Sequence, residues 1–238
     1  MSTHPSISSL PSISSLASSR SIRRAVCALI VCVSFAAAAQ EPTGPSPFGS
    51  SSALLFYNAA SGDGATARLD SAGTYGFVGS IPGFAKGWTH ITGTTRAPRG
   101  RPGATSGVLF YNASTGDGAT ARLDGAGNYT FVGSIPGFAK GWTHIVSANQ
   151  GGLLFYNAAS GESATASLDS AGTYSFVGSI SGFASGWTHI TGTASGGVLF
   201  YNASTGDGAT ARIDSAGTYS FVASIPGFAR GWTHIAGL

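Results

Sequence analysis

One segment of about forty residues is written four times between residues 53 and 238, and that repetition decides what the chain can fold into. The first copy reads "ALLFYNAASGDGATARLDSAGTYGFVGSIPGFAKGWTHI", and the others differ from it at few places. Phe56, Phe110, Phe155 and Phe200 are equivalent, at spacings of 54, 45 and 45 residues. The longer first interval carries "TTRAPRGRPGATS", a Pro/Arg/Gly loop without strand pattern. The units span about 53–107, 108–152, 153–197 and 198–238.

Each unit divides into four short extended segments. "LLFYN" is a dense apolar and aromatic run. "SGDG" is turn chemistry, and "ATARLD" alternates, with Thr66, Arg68 and Asp70 on one face and Ala67 and Leu69 on the other. "TYGFVGSI" reads as a third strand, "PGFAKG" as a loop, and "WTHI" as a fourth strand. Four strands in about 45 residues is the size of a propeller blade. A trefoil takes three units, and a solenoid uses shorter coils with atypical ends. Outer-membrane strands run about 9–11 residues, longer than these. The repeat region opens on "LLFY" with no "GWTHI" before it and finishes on an unpartnered "GWTHIAGL". If "WTHI" is the first strand of a blade, the last copy is suited to complete the blade begun at residue 53, removing two open edges. The expectation is an all-β chain of four four-stranded repeats forming a β-propeller, either four blades or half of a larger oligomeric ring.

Ahead of the repeats, "MSTHPSISSLPSISSLASSRSIRR" places its cations before the apolar run "AVCALIVCVSFAAAA", and Ala37-Ala38-Ala39 precedes Gln40. Residues 1–39 therefore read as a signal peptide, too short in its apolar run to span a membrane. Cys27 and Cys32 leave with it, so the mature chain has no disulfide framework. An exported chain without cysteine suits a bacterial periplasm or exterior. Residues 40–52, "QEPTGPSPFGSSS", form a linker. Arg20, Arg23 and Arg24 account for three of the twelve Lys/Arg, and the nine that remain balance nine Asp/Glu. A neutral domain carries no electrostatic footprint for nucleic acid.

The pattern "GWTHI…G(V/L)LFYN…G.G.A…D..G" resembles secreted bacterial propeller repeats of the FG-GAP/VCBS-like type, and more loosely tachylectin-type lectin blades. The resemblance implies a propeller. FG-GAP calcium loops use several aspartates, whereas only Asp63, Asp117 and Asp207 stand here and the third unit has Glu162. One carboxylate per loop falls short of calcium's six to eight oxygens.

His90, His144, His189 and His234 would suit zinc if they converged on an axis, but packing between blades is the plainer role, and no metal or cofactor is expected. No Ser-His-Asp set or carboxylate pair stands apart from the fourfold pattern, so no catalytic residue and no enzyme activity is expected. The candidate ligand contacts are repeated. They are Trp88, Trp142, Trp187 and Trp232; Tyr57, Tyr111, Tyr156 and Tyr201; Asn58, Asn112, Asn157 and Asn202; and Arg68, Arg122 and Arg212, each with an aspartate two residues on. The third unit has Ser167 in place of the arginine. Aromatic rings and amides on a neutral scaffold suit sugars, and four similar sites gain avidity. The expected function is multivalent, lectin-like recognition of cell-surface or matrix glycans. The alternative is an adhesion module contacting cell-surface proteins, and in either case copies could associate. For the tryptophans and asparagines, wedging blades and closing turns are the competing structural roles.

Overall fold

The computed structural model describes residues 52–70, 72–95, 105–148, 151–193 and 195–237. The expected signal peptide, all of the expected linker except Ser52, and the 96–104 insertion lie outside them. The described residues form fifteen strands in four antiparallel sheets. The first sheet holds β1 (Ser52–Asn58), β2 (Asp63–Leu69) and β3 (Tyr75–Ile81). The second holds β4 (His90–Thr95), β5 (Thr105–Tyr111), β6 (Gly118–Asp124) and β7 (Tyr129–Ile135). The third holds β8 (His144–Ser147), β9 (Gly152–Tyr156), β10 (Ser163–Leu168) and β11 (Tyr174–Ile180). The fourth holds β12 (His189–Gly192), β13 (Gly197–Tyr201), β14 (Gly208–Ile213) and β15 (Tyr219–Ile225).

Strands follow one another in each sheet, and the sheets pack as propeller blades. Each of the first three "WTHI" copies pairs forward into the next unit: His90 lies opposite Tyr111, His144 opposite Tyr156 and His189 opposite Tyr201. Every complete blade therefore straddles a repeat boundary. The strand proper begins at the histidine, with the Trp-Thr pair in the segment leading into it. There Thr89 donates both its N–H and its hydroxyl to the Tyr111 carbonyl.

The dense run in "LLFY" follows from burial on both faces. Val108 and Phe110 join a cluster with Ala53 and Leu55 of the preceding blade, while Leu109 and Tyr111 join one with Leu153 and Phe155 of the following blade. A strand sandwiched this way carries no polar alternation. The blades approach so closely that a Cβ at Gly152 would overlap the Asp214 carbonyl, which is why the position before "LLFY" is small.

The outermost strand of each blade, the third extended segment of its repeat, is not regular. Thr66 pairs with Gly79 but Ala67 pairs with Phe77, leaving Val78 as an extra residue, and the same bulge recurs at Val132, Val177 and Val222. Thr66 and Ala67 are consequently both buried, so the simple alternation read for this segment does not hold. A bulge on an outermost strand also twists that edge away from stray pairing.

Among the described residues the series of blades does not close on itself. β1 has β2 as its one strand neighbour, and residues 231–237 form no strand. The expected completion of the first blade by the last "WTHI" is thus not formed, and that sheet has three strands.

Candidate functional site

The blade junctions hold the aromatic side chains. The loop after the third strand turns at Gly83, whose φ of 75° suits a residue without Cβ, and then inserts Phe84 toward the next blade. Its ring lies 5.2 Å from Phe110 and 5.3 Å from Tyr129, while Trp88 lies 5.7 Å from Phe110. The next junction repeats this with Phe138 at 5.5 Å from Phe155 and 5.1 Å from Tyr174, and with Trp142 at 5.9 Å from Phe155. The third places Phe183 at 5.3 Å from both Phe200 and Tyr219, with Trp187 at 5.8 Å from Phe200.

Clefts open over these clusters. One of about 530 Å³ is lined by Phe84, Trp88, Phe110, Tyr129 and Phe131, with Asp117 and Ser134 as polar groups. The next, about 320 Å³, is lined by Phe138, Trp142, Phe155, Tyr174 and Phe176, with Ser179. Both volumes fall in the range of small-molecule sites. Phe131 and Phe176 are 55% and 62% exposed at the cleft walls. Burial pushes the Tyr174 phenol up to about 12, and raises those of Tyr129 and Tyr219, so all three stay neutral at physiological pH.

The sequence-expected residues separate into different places. Trp88 and Trp142 line the clefts, whereas Trp232 is 55% exposed and lines neither. The tyrosines do not line them. Tyr111, Tyr156 and Tyr201 are fully buried, and each hydroxyl pins the loop of its own unit. Tyr111 donates to the Ala139 carbonyl at 2.8 Å and accepts from the Trp142 N–H, and Tyr57 makes the same pair of bonds to Ala85 and Trp88. Asn58, Asn112, Asn157 and Asn202 each accept two backbone N–H groups of the following turn through Oδ1. Arg68, Arg122 and Arg212 are exposed, away from the aromatic clefts. Arg212 instead lines a separate polar cleft of about 350 Å³ with Asp214, Ser195 and Ser220. The paired aspartates turn inward to their own loops. Asp70 accepts from Thr74 N–H at 2.7 Å and from Ala72 N–H, which holds its carboxyl below the ordinary value.

The histidines bridge neighbouring inner strands. His90 Nε2 meets the Thr143 carbonyl at 3.1 Å, His144 the Thr188 carbonyl at 3.2 Å and His189 the Thr233 carbonyl at 2.9 Å. A carbonyl only accepts, so each Nε2 carries the proton. Burial, opposed by the Thr188 bond and reinforced by His90 and His189, lowers the His144 pKa. Among the described residues, no three His, Cys, Asp or Glu side chains are grouped to hold a metal ion.

Sequence reasoning missed the phenylalanine of the "PGF" loop and the Tyr and Phe of the third strand, which build most of each cleft. Their recurrence was the available signal; the bulge that turns Phe131 and Phe176 outward left none.

No protein-family model matches the chain, and no curated protein does. Solved structures resemble it at low identity. A functionally unknown protein from Desulfotomaculum acetoxidans is 12% identical with a TM-score of 0.49, over 76% of this chain and 56% of its own. A putative 6-phosphogluconolactonase from Bacteroides fragilis is 11% identical with a TM-score of 0.46, over 76% and 55%. TolB from Acinetobacter baumannii is 13% identical with a TM-score of 0.33, over 72% and 41%. The chain thus spans little more than half the length of the first and second of these.

Proposed function

We propose that this is an exported, non-enzymatic binding protein that recognises glycans of a cell surface or matrix, with one site at each blade junction. The observation that carries the reading is the aromatic cleft recurring at successive junctions, each with Phe, Trp and Tyr rings and one or two hydroxyl or carboxylate groups. Aromatic faces offer apolar area to the C–H face of a sugar ring, and the few polar groups orient its hydroxyls. Individually weak sites on one rigid scaffold gain avidity when the target is itself repetitive. The likeness of the Trp-preceded apolar strand to tachylectin-type blades is in keeping with this.

The sites sit on blade edges rather than on the repeated Tyr and Asn, whose polar atoms are engaged in loop pins and turns. Retention on a panel of immobilised mono- and oligosaccharides tests the reading. The chain should be retained by at least one sugar, and the double variant Phe131→Ala with Phe176→Ala should elute earlier, having lost the cleft wall at two junctions, while keeping its far-UV spectrum. Both side chains are more than half exposed, so their truncation removes cleft wall without opening the core. Passage of the unaltered chain through every resin would reject it.

A second reading, protein adhesion, is favoured by one observation. Phe77, Phe131, Phe176 and Phe221 stand 55–62% exposed on the outermost strands of all four blades. Exposed apolar groups in such a repeated array suit protein contact. Loss of cell adhesion in the same double variant without any sugar retention would select it.

A further inference from the structure

The two ends of the blade series are unfinished in complementary ways. At one end the three-stranded blade lacks an inner strand beside β1. At the other, Gly231–Gly237 carries the inner-strand sequence "GWTHI" and is paired with no strand among the described residues. We propose that this segment of one copy completes the first blade of a second copy, and that two copies close an eight-bladed ring through two reciprocal exchanges.

Three observations carry this. First, "GWTHI" does the same work at every junction inside the chain and in one register: histidine opposite tyrosine, isoleucine opposite phenylalanine. Transferred unchanged, His234 lies opposite Tyr57 and Ile235 opposite Phe56 of the second copy. The Thr233 N–H then reaches the Tyr57 carbonyl, as Thr89, Thr143 and Thr188 reach those of Tyr111, Tyr156 and Tyr201.

Second, the side chains that such a junction would bury are the ones left open. Phe56 is 46% exposed where Phe110, Phe155 and Phe200 are 1–2%. Trp232 is 55% exposed where Trp142 is 9%. Tyr75 is 55% exposed, whereas Tyr129, Tyr174 and Tyr219 are half-buried. Leu199 on the opposite open face is half-buried, whereas Leu109 and Leu154 are fully buried.

Third, the inner segment is already positioned as an inner strand. Its Thr233 carbonyl receives His189 Nε2, as the next inner strand does at the two earlier steps. It thus presents a backbone edge in the inner-strand position with no strand beside it among the described residues, which is a template for addition.

Two four-unit series give eight blades, inside the known range of four to eight. Closure matters because a head-to-tail contact that does not close builds fibres instead. The exchange also gathers Phe228 and Trp232 of one copy with Phe56 and Tyr75 of the other, in the pattern of Phe84, Trp88, Phe110 and Tyr129. A glycan site at that fourth cluster rests on the proposed function; the strand exchange does not.

Light scattering coupled to size separation tests it. The chain should run at the mass of two copies. Deletion of 231–238 removes the donated strand, and Phe56→Asp places a carboxylate where that strand must pack, so each variant should run as one copy. Mixed together at a concentration where each stays single, they should form a pair, because one supplies an intact first blade and the other an intact inner strand. A chain that runs as one copy, closed on itself or open, overturns the proposal. Size that grows with concentration overturns the closed pair. Failure of two variants with native far-UV spectra to pair on mixing overturns the exchange.

Discussion

Tyr156→Phe isolates the loop pin that holds each cleft in shape. The Tyr156 hydroxyl donates to the Ala184 carbonyl at 3.0 Å and accepts the Trp187 N–H at 3.1 Å, so one oxygen fastens both arms of the loop carrying Phe183. Its side chain is fully buried, and burial raises its pKa against the opposing Trp187 and Gly186 backbone groups, so it stays protonated and donating at neutral pH. Phenylalanine keeps the ring against His144 at 5.8 Å and Phe183 at 6.0 Å and removes the oxygen alone. Two hydrogen bonds at about 0.5–1.5 kcal/mol each, and two backbone groups left short of a partner, put the loss at about 2 kcal/mol. In a domain of this size that is a fall of about 4–8 °C in Tm. Thermal melting followed by far-UV circular dichroism reads it, with Trp187 emission reporting the loosened loop. A melt within 1 °C of the parent, with unchanged emission, would refute the pinning argument.

Three further outcomes follow from the same geometry. Gly152→Ala should destabilise by about 1–3 kcal/mol, because its Cβ meets backbone of the next blade, whereas Gly178→Ala, whose Cβ meets nothing within 4 Å, should stay within about 0.5 kcal/mol in urea titration. Asn157→Ala should lose about 1 kcal/mol by freeing the Ala159 and Ser160 N–H groups of its turn, seen as faster amide exchange there. Stability should fall with acid from about pH 6.5 downward. The folded state holds His144 below its ordinary 6.5, so the unfolded chain binds the extra proton first, and the loss levels off once pH passes the folded value. In His144→Gln that part of the slope should vanish from urea midpoints measured between pH 7 and 4.

The repeat made the blade legible. The period of 45 between Phe110, Phe155 and Phe200 and the turn residues between apolar runs give strands close to those found, and the forward pairing of "WTHI" follows from its place in the unit. What stayed hidden depends on contacts that one unit cannot express. The bulge at Val78 changes which side chains face outward, yet "GFVGS" reads as an ordinary strand. Tyr57 and Asn58 looked available because aromatic and amide groups recur there, but their hydroxyl and amide serve loop and turn. Closure of the ring depends on the angle each junction adds. No single repeat contains that angle, so the open first blade came only with the structure.

The function proposed for the aromatic clefts between blades is sugar binding. Tryptophan fluorescence during titration with a panel of soluble oligosaccharides tests it most directly, because all four tryptophans belong to the junction motif. A saturable change with at least one sugar is expected, absent when Phe77, Phe131, Phe176 and Phe221 are replaced together by alanine in a chain that still folds. Emission unmoved by every sugar, or a change that survives the fourfold replacement, would contradict it.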